Sequence, residues 1–277
     1  MSNRFEGWYF KQQAKGRTLA FIPGRSKDTA FIQVVTDDRA WHVEYPLSAY
    51  RKGDIVTIAD STFAREGLRL DIHGEGLELM GELSYHNLTP LKSDIMGPFR
   101  FFPMECRHSV VSMNHEVSGH LLLNGENLEF RGRGYIEGDS GKSFPENYTW
   151  IQCNAFEDDI SVMVSIARIP FAGLHFTGCI AVVFCGGREY RLATYRGVRI
   201  VHSTAHKIEL RQGKLRLMAE VPESQGHGLR APEKGMMRRM IREAPACPAR
   251  FRFWRGEQLV FDKSSRYASF EYVPGPA

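Results

Sequence analysis

Leu68-Arg-Leu-Asp-Ile72 is the stretch that decides the fold class, because apolar and charged residues alternate in it without a break. Successive side chains of a β-strand point to opposite faces of a sheet, so this alternation predicts a strand with one buried face and one wet face. Phe251-Arg-Phe253 repeats the pattern near the other end of the chain. Short runs rich in β-branched and aromatic residues lie between them, as at 30–36, 77–85 and 160–166. The sequence therefore predicts an all-β protein.

Turn signals separate these runs, and only one segment looks helical. Asn124-Gly125 and Gly186-Gly187 stand between apolar runs, and both pairs tolerate the positive φ of tight hairpin turns. A short helix is predicted over 234–243, where methionines share one face, within a loop-like stretch over 221–248. So many strands with so little helix predict closed antiparallel β-barrels, since closure removes exposed sheet edges.

The length of the chain allows either one large β-domain or two barrel-like halves around an interior pocket. It has 277 residues, of which 43% are hydrophobic and 25% charged, as in ordinary globular proteins. Glycines between 132 and 141 interrupt the strand pattern, so we place the boundary there, with halves at 1–134 and 135–277. The net charge of +4 is spread along the sequence, which argues against a nucleic-acid partner.

Targeting and cofactor signals are also missing from the sequence. The N-terminus begins with charged residues where a signal peptide needs an apolar run, and no stretch is apolar enough to form a transmembrane segment. The five cysteines are odd in number and scattered, which argues against a disulfide framework. We therefore expect a cytoplasmic protein. Without a glycine-rich phosphate loop, we expect no nucleotide cofactor.

The first candidate for chemistry is Glu6, which stands among four aromatic rings in Phe5-Glu-Gly-Trp-Tyr-Phe10. If Glu6 points inward, burial would raise its pKa and keep it protonated as an acid. The alternative is that Glu6 faces outward or pairs with an arginine while the aromatic residues pack in the core.

Histidines and a cysteine form a second candidate group. Cys106, His108, His115 and His120 are possible zinc ligands, but no paired metal spacing is present. We therefore predict no metal, and expect core histidines or a hydrogen bond from His108 to a ligand.

The third candidate segment runs from Tyr135 to Phe156. It holds the carboxylates Glu137 and Asp139, then a turn, then a strand in which Trp150, Gln152 and Asn154 share one face. An aromatic ring and two amides on one face suit polar contacts within an apolar pocket. The alternative is a loop in which the carboxylates cap backbone N–H groups and the amides satisfy a bulge.

These segments together resemble the tocopherol cyclase family, including its bacterial members. The resemblance is carried by the ordered motifs Phe5-Glu-Gly-Trp-Tyr-Phe10, Met104-Glu-Cys-Arg-His108, Glu137 to Asn154, Tyr190-Arg-Leu-Ala-Thr-Tyr195 and Leu229-Arg-Ala-Pro232. It implies a lipocalin-like β-barrel fold related to isoprenoid cyclases and hydratases. It also implies an enzyme that protonates an alkene of a prenylated quinol and closes a ring on the resulting cation, without any cofactor.

The resemblance also implies roles for individual residues. The catalytic candidates are Glu137 first, as the acid, with Glu6 and Asp139 behind it. The candidates for substrate binding are Trp8, Glu105, His108, Phe144, Trp150, Gln152 and Asn154, of which Trp8 and Trp150 would face the cation.

Two positions depart from the family pattern, because Gly138 and Ser140 stand where relatives usually have Lys and Trp. This departure makes an apolar isoprenoid-like substrate a safer expectation than a tocopherol precursor. A non-catalytic carrier for an apolar small molecule is the alternative function. Peripheral membrane contact through 234–243 is a further expectation, weighed against a short helix packed on a barrel end, and the oligomeric state stays open.

Overall fold

The computed structural model describes residues 4–171 and 174–275, and nearly all of its regular structure is β-sheet. The prediction of an all-β, antiparallel protein is thereby confirmed. Within the described ranges no helix has the length and apolarity that a membrane crossing requires.

Twenty-one strands and three short 3-10 turns follow one another along these residues. The strands are β1 (Phe5–Ala14), β2 (Arg17–Arg25), β3 (Thr29–Thr36), β4 (Ala40–Pro46), β5 (Tyr50–Lys52), β6 (Val56–Ile58), β7 (Ser61–Ala64), β8 (Gly67–Gly74), β9 (Leu77–His86), β10 (Cys106–Leu123), β11 (Glu126–Gly141), β12 (Tyr148–Cys153), β13 (Ile160–Phe171), β14 (Leu174–Cys185), β15 (Arg188–Ala193), β16 (Arg199–Ser203), β17 (Lys207–Gln212), β18 (Leu215–Glu220), β19 (His227–Glu233), β20 (Met236–Arg255) and β21 (Gln258–Val273). The 3-10 turns are Leu47–Ala49, Gly97–Phe101 and Thr194–Arg196.

The strands form two antiparallel sheets with the same order of connections. The first runs β4-β3-β2-β1-β11-β10-β9-β8-β7-β6-β5, and the second runs β15-β14-β13-β12-β21-β20-β18-β17-β16, with β19 added beside β20. In each sheet the first strand in sequence pairs with the last one, β1 with β11 and β12 with β21. The regular structure is therefore divided between two similar antiparallel sheets.

Neither sheet is closed by hydrogen bonds among the described strands. The first ends at β4 and β5, and the second at β15 and β16. The three-residue strand β5 carries Arg51 and Lys52, and short, charged edge strands are a usual means of preventing further pairing.

The predicted helix over 234–243 is wrong. Lys234 and Gly235 form a turn with positive φ, and β19 and β20 pair across it as a hairpin. The loop expected over 221–248 is found only at 221–226, because β19 and β20 occupy the rest apart from the turn between them. From 238 to 242 exposed Arg238, Met240 and Arg242 alternate with more buried neighbours, so the period is that of a strand. The apolar residues that suggested a helix, Met236, Met237, Met240 and Ile241, fit both periods.

The chain divides into two compact units that interleave in sequence. The first unit comprises residues 1–91, 106–144 and 228–240, and the second comprises 92–105, 145–227 and 241–277. The predicted boundary between 134 and 135 falls inside β11, which stays whole because it is the central strand of the first sheet. Sheet pairing instead changes between β11 and β12.

Each unit has its own apolar core on one face of its sheet. The first core includes Phe10, Phe21 and Ile136, and the second includes Ile151, Phe251 and Phe270. In the first unit the opposite face of β1 and β11 is buried too, yet it carries polar groups, among them Lys11, Tyr135 and Glu137. Burial of so many polar groups is costly unless they bond to one another, so this face is where chemistry is expected.

Replacing Gly119 by Ala should lower the free energy of unfolding by on the order of 1–3 kcal/mol, measured by urea denaturation. Gly119 has a φ of 141°, and a Cβ there would lie 2.2 Å from the Glu82 carbonyl oxygen across the ladder with β9. Gly53→Ala is the matched control, because a Cβ at Gly53 meets nothing within 4 Å. Equal stabilities of the two variants would contradict this reading of the β9–β10 ladder.

Candidate active site

Alternation along β11 places three polar side chains on one face of the first sheet. Tyr135, Glu137 and Asp139 are two residues apart in a strand that pairs with β1 through an unbroken register over 133–141. Their side chains therefore project to the same side, away from Ile136 and the apolar core of this unit. Neighbouring β10 brings His108 directly opposite Asp139.

His108 bridges the two carboxylates. Its Nδ1 lies 3.0 Å from Asp139 Oδ1, and its Nε2 lies 3.3 Å from Glu137 Oε2. Because both ring nitrogens lie within ion-pair distance of carboxylate oxygens, a proton on each is favoured electrostatically, which makes the ring a cation, although only Nδ1 makes a hydrogen bond among the described residues. The cluster is thus an imidazolium held between two carboxylates.

The surroundings of His108 favour that charged form. Burial by itself lowers the pKa of His108, but the charges of Glu137 and Asp139, together with the hydrogen bond to Asp139, outweigh burial and raise this pKa well above its usual value. The charged form of the ring is therefore favoured in the folded protein.

Tyr135 completes the cluster on the Glu137 side. Its hydroxyl donates a hydrogen bond of 2.6 Å to Glu137 Oε2, the same oxygen that faces His108. Burial first, and then the negative charge of Glu137, raise the pKa of Tyr135 well above its usual value, so the hydroxyl keeps its proton. Tyr135 and His108 therefore both contact Glu137 Oε2.

Asp139 is the more accessible of the two acids. Its side chain is 22% exposed, against 7% for Glu137. Oδ1 accepts from His108 Nδ1 and lies 3.6 Å from Cys106 Sγ, whereas Oδ2 accepts no hydrogen bond from the part of the chain that the structure describes. The second oxygen of Asp139 can therefore meet a bound molecule.

The same three residues have a spacing that a divalent cation could use. One ligand atom each from His108, Glu137 and Asp139 can be chosen so that all three lie within 4.8 Å of one another. A metal bound through Nδ1 would have to displace the hydrogen bond to Asp139, whereas Nε2 makes no hydrogen bond among the described residues. The hydrogen bond from Nδ1 favours a proton-holding cluster.

Glu6 and Trp8 project from the opposite face of the sheet. Glu6 pairs with Ser140 and Trp8 with Gly138 in the β1–β11 register, out of phase with Glu137 and Asp139. Glu6 forms an ion pair with Lys52, accepts from Tyr50 Oη at 3.3 Å and lies 3.9 Å from Arg25 Nε. These contacts fit the alternative in which Glu6 pairs with basic residues, and they separate it from the cluster.

Gly138, one of the two departures from the family pattern, lies directly under the Trp8 indole. A Cβ at this position would come within 2.6 Å of the Trp8 ring. A larger side chain here would force the indole to move, so the loss of the usual residue allows Trp8 to pack on the strand. On this face Trp8 packs against the apolar core of the first unit.

The remaining predicted residue of the first unit, Phe144, packs edge-on against Phe5 with the ring centroids 5.4 Å apart. Its backbone N–H donates to the carbonyl oxygen of Pro232 at 3.1 Å. Phe144 and the Leu229-Arg-Ala-Pro232 motif therefore meet within one unit.

Four predicted residues lie in the second unit. Trp150, Gln152 and Asn154 are buried, and Glu105 is half-buried. Trp150 and Gln152 occupy the face of β12 opposite Ile151 and the apolar core, as their spacing predicts. The structure thus places Glu137, Asp139 and His108 in one cluster, and these four residues in the other unit.

Sequence reasoning missed two tyrosine–carboxylate pairs. Tyr135 with Glu137 is one, and the second unit contains a similar pair in which Tyr148 Oη donates to Glu271 Oε2 at 2.5 Å. Fully buried Glu243 is opposite Glu271 in the β20–β21 register. The first pair could have been found, because Tyr135 and Glu137 are two residues apart and so share a face of one strand. The second pair has no such sequence signal, because Tyr148 and Glu271 are 123 residues apart.

His115 is a buried core histidine, which is the role that the sequence analysis expects in place of a zinc ligand. Its ring lies 4.5 Å from the Tyr85 ring, its Nδ1 lies 3.2 Å from Ser112 Oγ, and burial lowers its pKa to about 4. His115 therefore stays neutral at physiological pH.

Comparison with solved structures shows the fold. A protein assigned as an AttH, from Nitrosomonas europaea, superposes with a TM-score of 0.57 at 14% identity, over 98% of this chain and 92% of that one. Kievitone hydratase from Nectria haematococca superposes with a TM-score of 0.56 at 10% identity, over 97% of this chain and 88% of that one. At such identities the likeness concerns the fold alone.

No curated protein sequence matches this chain. The tocopherol cyclase-like family model, in contrast, matches residues 84–273, which is more than half of the chain and includes β10, β11 and the whole cluster around His108. The protein therefore belongs to the tocopherol cyclase-like family.

Proposed function

We propose that this protein catalyses the proton-initiated cyclisation of a prenylated hydroquinone or a similar apolar isoprenoid. Membership of the family supports a reaction of this class, and the cluster on β10 and β11 supplies the groups that it needs. The observation that carries the proposal is the position of Asp139, with one oxygen bonded to an imidazolium and the other available to a bound molecule.

Asp139 is the proton donor in this proposal, rather than Glu137. Glu137 is buried and its Oε2 is already engaged by Tyr135 and His108, whereas Asp139 is partly exposed. In the reactive form the cluster carries one further proton, on Asp139 Oδ2, while Oδ1 still accepts from His108 Nδ1. When Asp139 gives this proton to an alkene, the cluster returns to an imidazolium between two carboxylates. The fixed positive charge stabilises this developing negative charge in the transition state.

The proposed reaction is an isomerisation in which all atoms are retained. The Asp139 proton adds to the less substituted carbon of a trisubstituted alkene, and the π bond breaks to leave a tertiary cation. The phenol oxygen of the substrate attacks this cation and forms the C–O bond of the new ring. The phenol proton returns to Asp139, so the acid is regenerated and no cofactor is consumed.

Tyr9 and Phe5 are aromatic residues on the same face as the cluster. Tyr9 pairs with Glu137 and Phe5 with Gly141 in the β1–β11 register, and both are buried. Aromatic faces stabilise a nearby cation, and apolar surroundings exclude water that would otherwise capture it. These two residues replace Trp8 in the role of cation-facing rings.

The test is turnover of a short-chain prenylated hydroquinone by the purified protein in D₂O, followed by mass spectrometry after exchange of hydroxyl deuterium in H₂O. We expect a cyclised product with one deuterium on carbon, and the same rate in EDTA. A product without carbon-bound deuterium would contradict protonation as the first step. Retention of unchanged quinol during gel filtration, with no product, would instead favour a carrier.

A further inference from the structure

A cluster of aromatic residues in the second unit lies partly at the surface. Phe101 is 75% exposed and Phe102 43%, and both follow Phe99 at the end of the 3-10 turn Gly97–Phe101. Single exposed apolar residues are common in soluble proteins, but two adjacent exposed phenylalanines on a bend are not easily explained by folding.

Phe99 connects this bend to two other segments of the same unit. Its ring stacks on Phe176 with the centroids 5.7 Å apart, and it meets Tyr195 edge-on at 6.4 Å. Leu174, which is 76% exposed, lies two residues before Phe176 on the same face of β14. We call Phe101, Phe102 and Leu174, with the rings beneath them, the aromatic patch.

Basic residues outnumber acidic ones around the aromatic patch. Residues 92–105, 174–185 and 190–202 contain Lys92, Arg100, Arg191, Arg196 and Arg199 against Asp94 and Glu105, and of the five basic residues only Arg191 is buried. The guanidinium of Arg100 lies 4.5 Å from the centre of the Phe101 ring, and that of Arg196 lies 5.9 Å from the centre of the Tyr195 ring. Arg100 therefore borders an exposed ring directly, and exposed Arg196 lies beside the half-buried Tyr195 ring.

We propose that the aromatic patch docks this protein onto the surface of an anionic lipid bilayer. Phenylalanine and leucine side chains at the headgroup level bury apolar area, while neighbouring arginines attract anionic headgroups. The excess of arginine over acidic residues in these three segments complements anionic headgroups. Docking does not depend on the catalytic proposal, since it uses a different unit from the His108 cluster.

Co-sedimentation of the full chain with vesicles tests the proposal. With vesicles of phosphatidylcholine and phosphatidylglycerol we expect binding at low salt that weakens strongly at high salt, and much weaker binding to phosphatidylcholine alone. The double variant Phe101→Ser/Phe102→Ser should bind at least about 10-fold more weakly. The Arg100→Gln variant should bind these vesicles about fivefold more weakly.

Leu259→Ser/Val260→Ser is the matched control. Both residues are exposed, at 47% and 37%, on β21 of the same unit, away from the aromatic patch in sequence. This double variant should bind vesicles like the unmodified protein. Equal losses in the two double variants, or no binding to anionic vesicles at all, would overturn the proposal. So would a dimer in gel filtration that Phe101→Ser/Phe102→Ser abolishes, because a second copy would then cover the patch.

Discussion

Replacing Asp139 by Asn is expected to lower the turnover of a prenylated hydroquinone by at least about 100-fold, because a positioned general acid contributes about 10²–10⁴-fold. Asn keeps the size of the side chain and can still accept from His108 Nδ1, but it has no acidic proton to give. The measurement is kcat by product mass spectrometry, with substrate retention measured separately. We expect retention of the quinol to change little.

Two control variants make this result specific. Asp71→Asn removes another aspartate that pairs with a histidine, since Asp71 Oδ1 lies 2.7 Å from His73 Nε2 on the solvent face of β8, and it should leave turnover unchanged. Glu6→Gln changes a carboxylate on the other face of the same sheet and should also retain turnover. Full activity of Asp139→Asn together with loss of activity in Glu137→Gln would move the acid role to Glu137, as the sequence alone suggests.

The strand content was predictable from the sequence because alternation and turn residues are local signals. Asn124-Gly125 and Gly186-Gly187 are indeed turn residues with positive φ between paired strands. The segment 234–243 was predicted wrongly, since its apolar residues fit both a helical and a strand period. Its pairing with β19 and β21 decides the outcome, and pairing across a sheet is not encoded in a local window.

The candidate site was predictable in part for the same reason. Glu137 and Asp139 share a face by their spacing alone, which the sequence does show. His108 joins them only through the β10–β11 register, and a shift between Val110 and Ser112 changes that register further along the strand. Glu6 could not be assigned to a face until the β1–β11 pairing was known, because a slip by one residue would reverse it.

Replacing His108 by Leu should lower the free energy of unfolding by about 3 kcal/mol near pH 6, because it removes the cation that bridges Glu137 and Asp139 in a largely buried site. We take the lower end of the usual range for broken buried pairs, since the side chain of Asp139 is 22% exposed. Urea denaturation of both proteins measures the difference. The triple variant His108→Leu/Glu137→Gln/Asp139→Asn, which has no unpaired charge, should recover much of the loss.

The pH dependence of this loss identifies the imidazolium as its cause. The pKa of His108 is raised in the folded protein, so the stabilisation is fully present below the unfolded value of about 6.5 and is lost as the pH rises through the folded value. The difference in stability between the unmodified protein and His108→Leu should therefore be largest at mildly acidic pH and shrink at alkaline pH. A difference that is constant with pH would mean that His108 contributes packing alone. In that case the cation that stabilises the Asp139 carboxylate would be lost from the mechanism, while Asp139→Asn would still report independently on the proton donor.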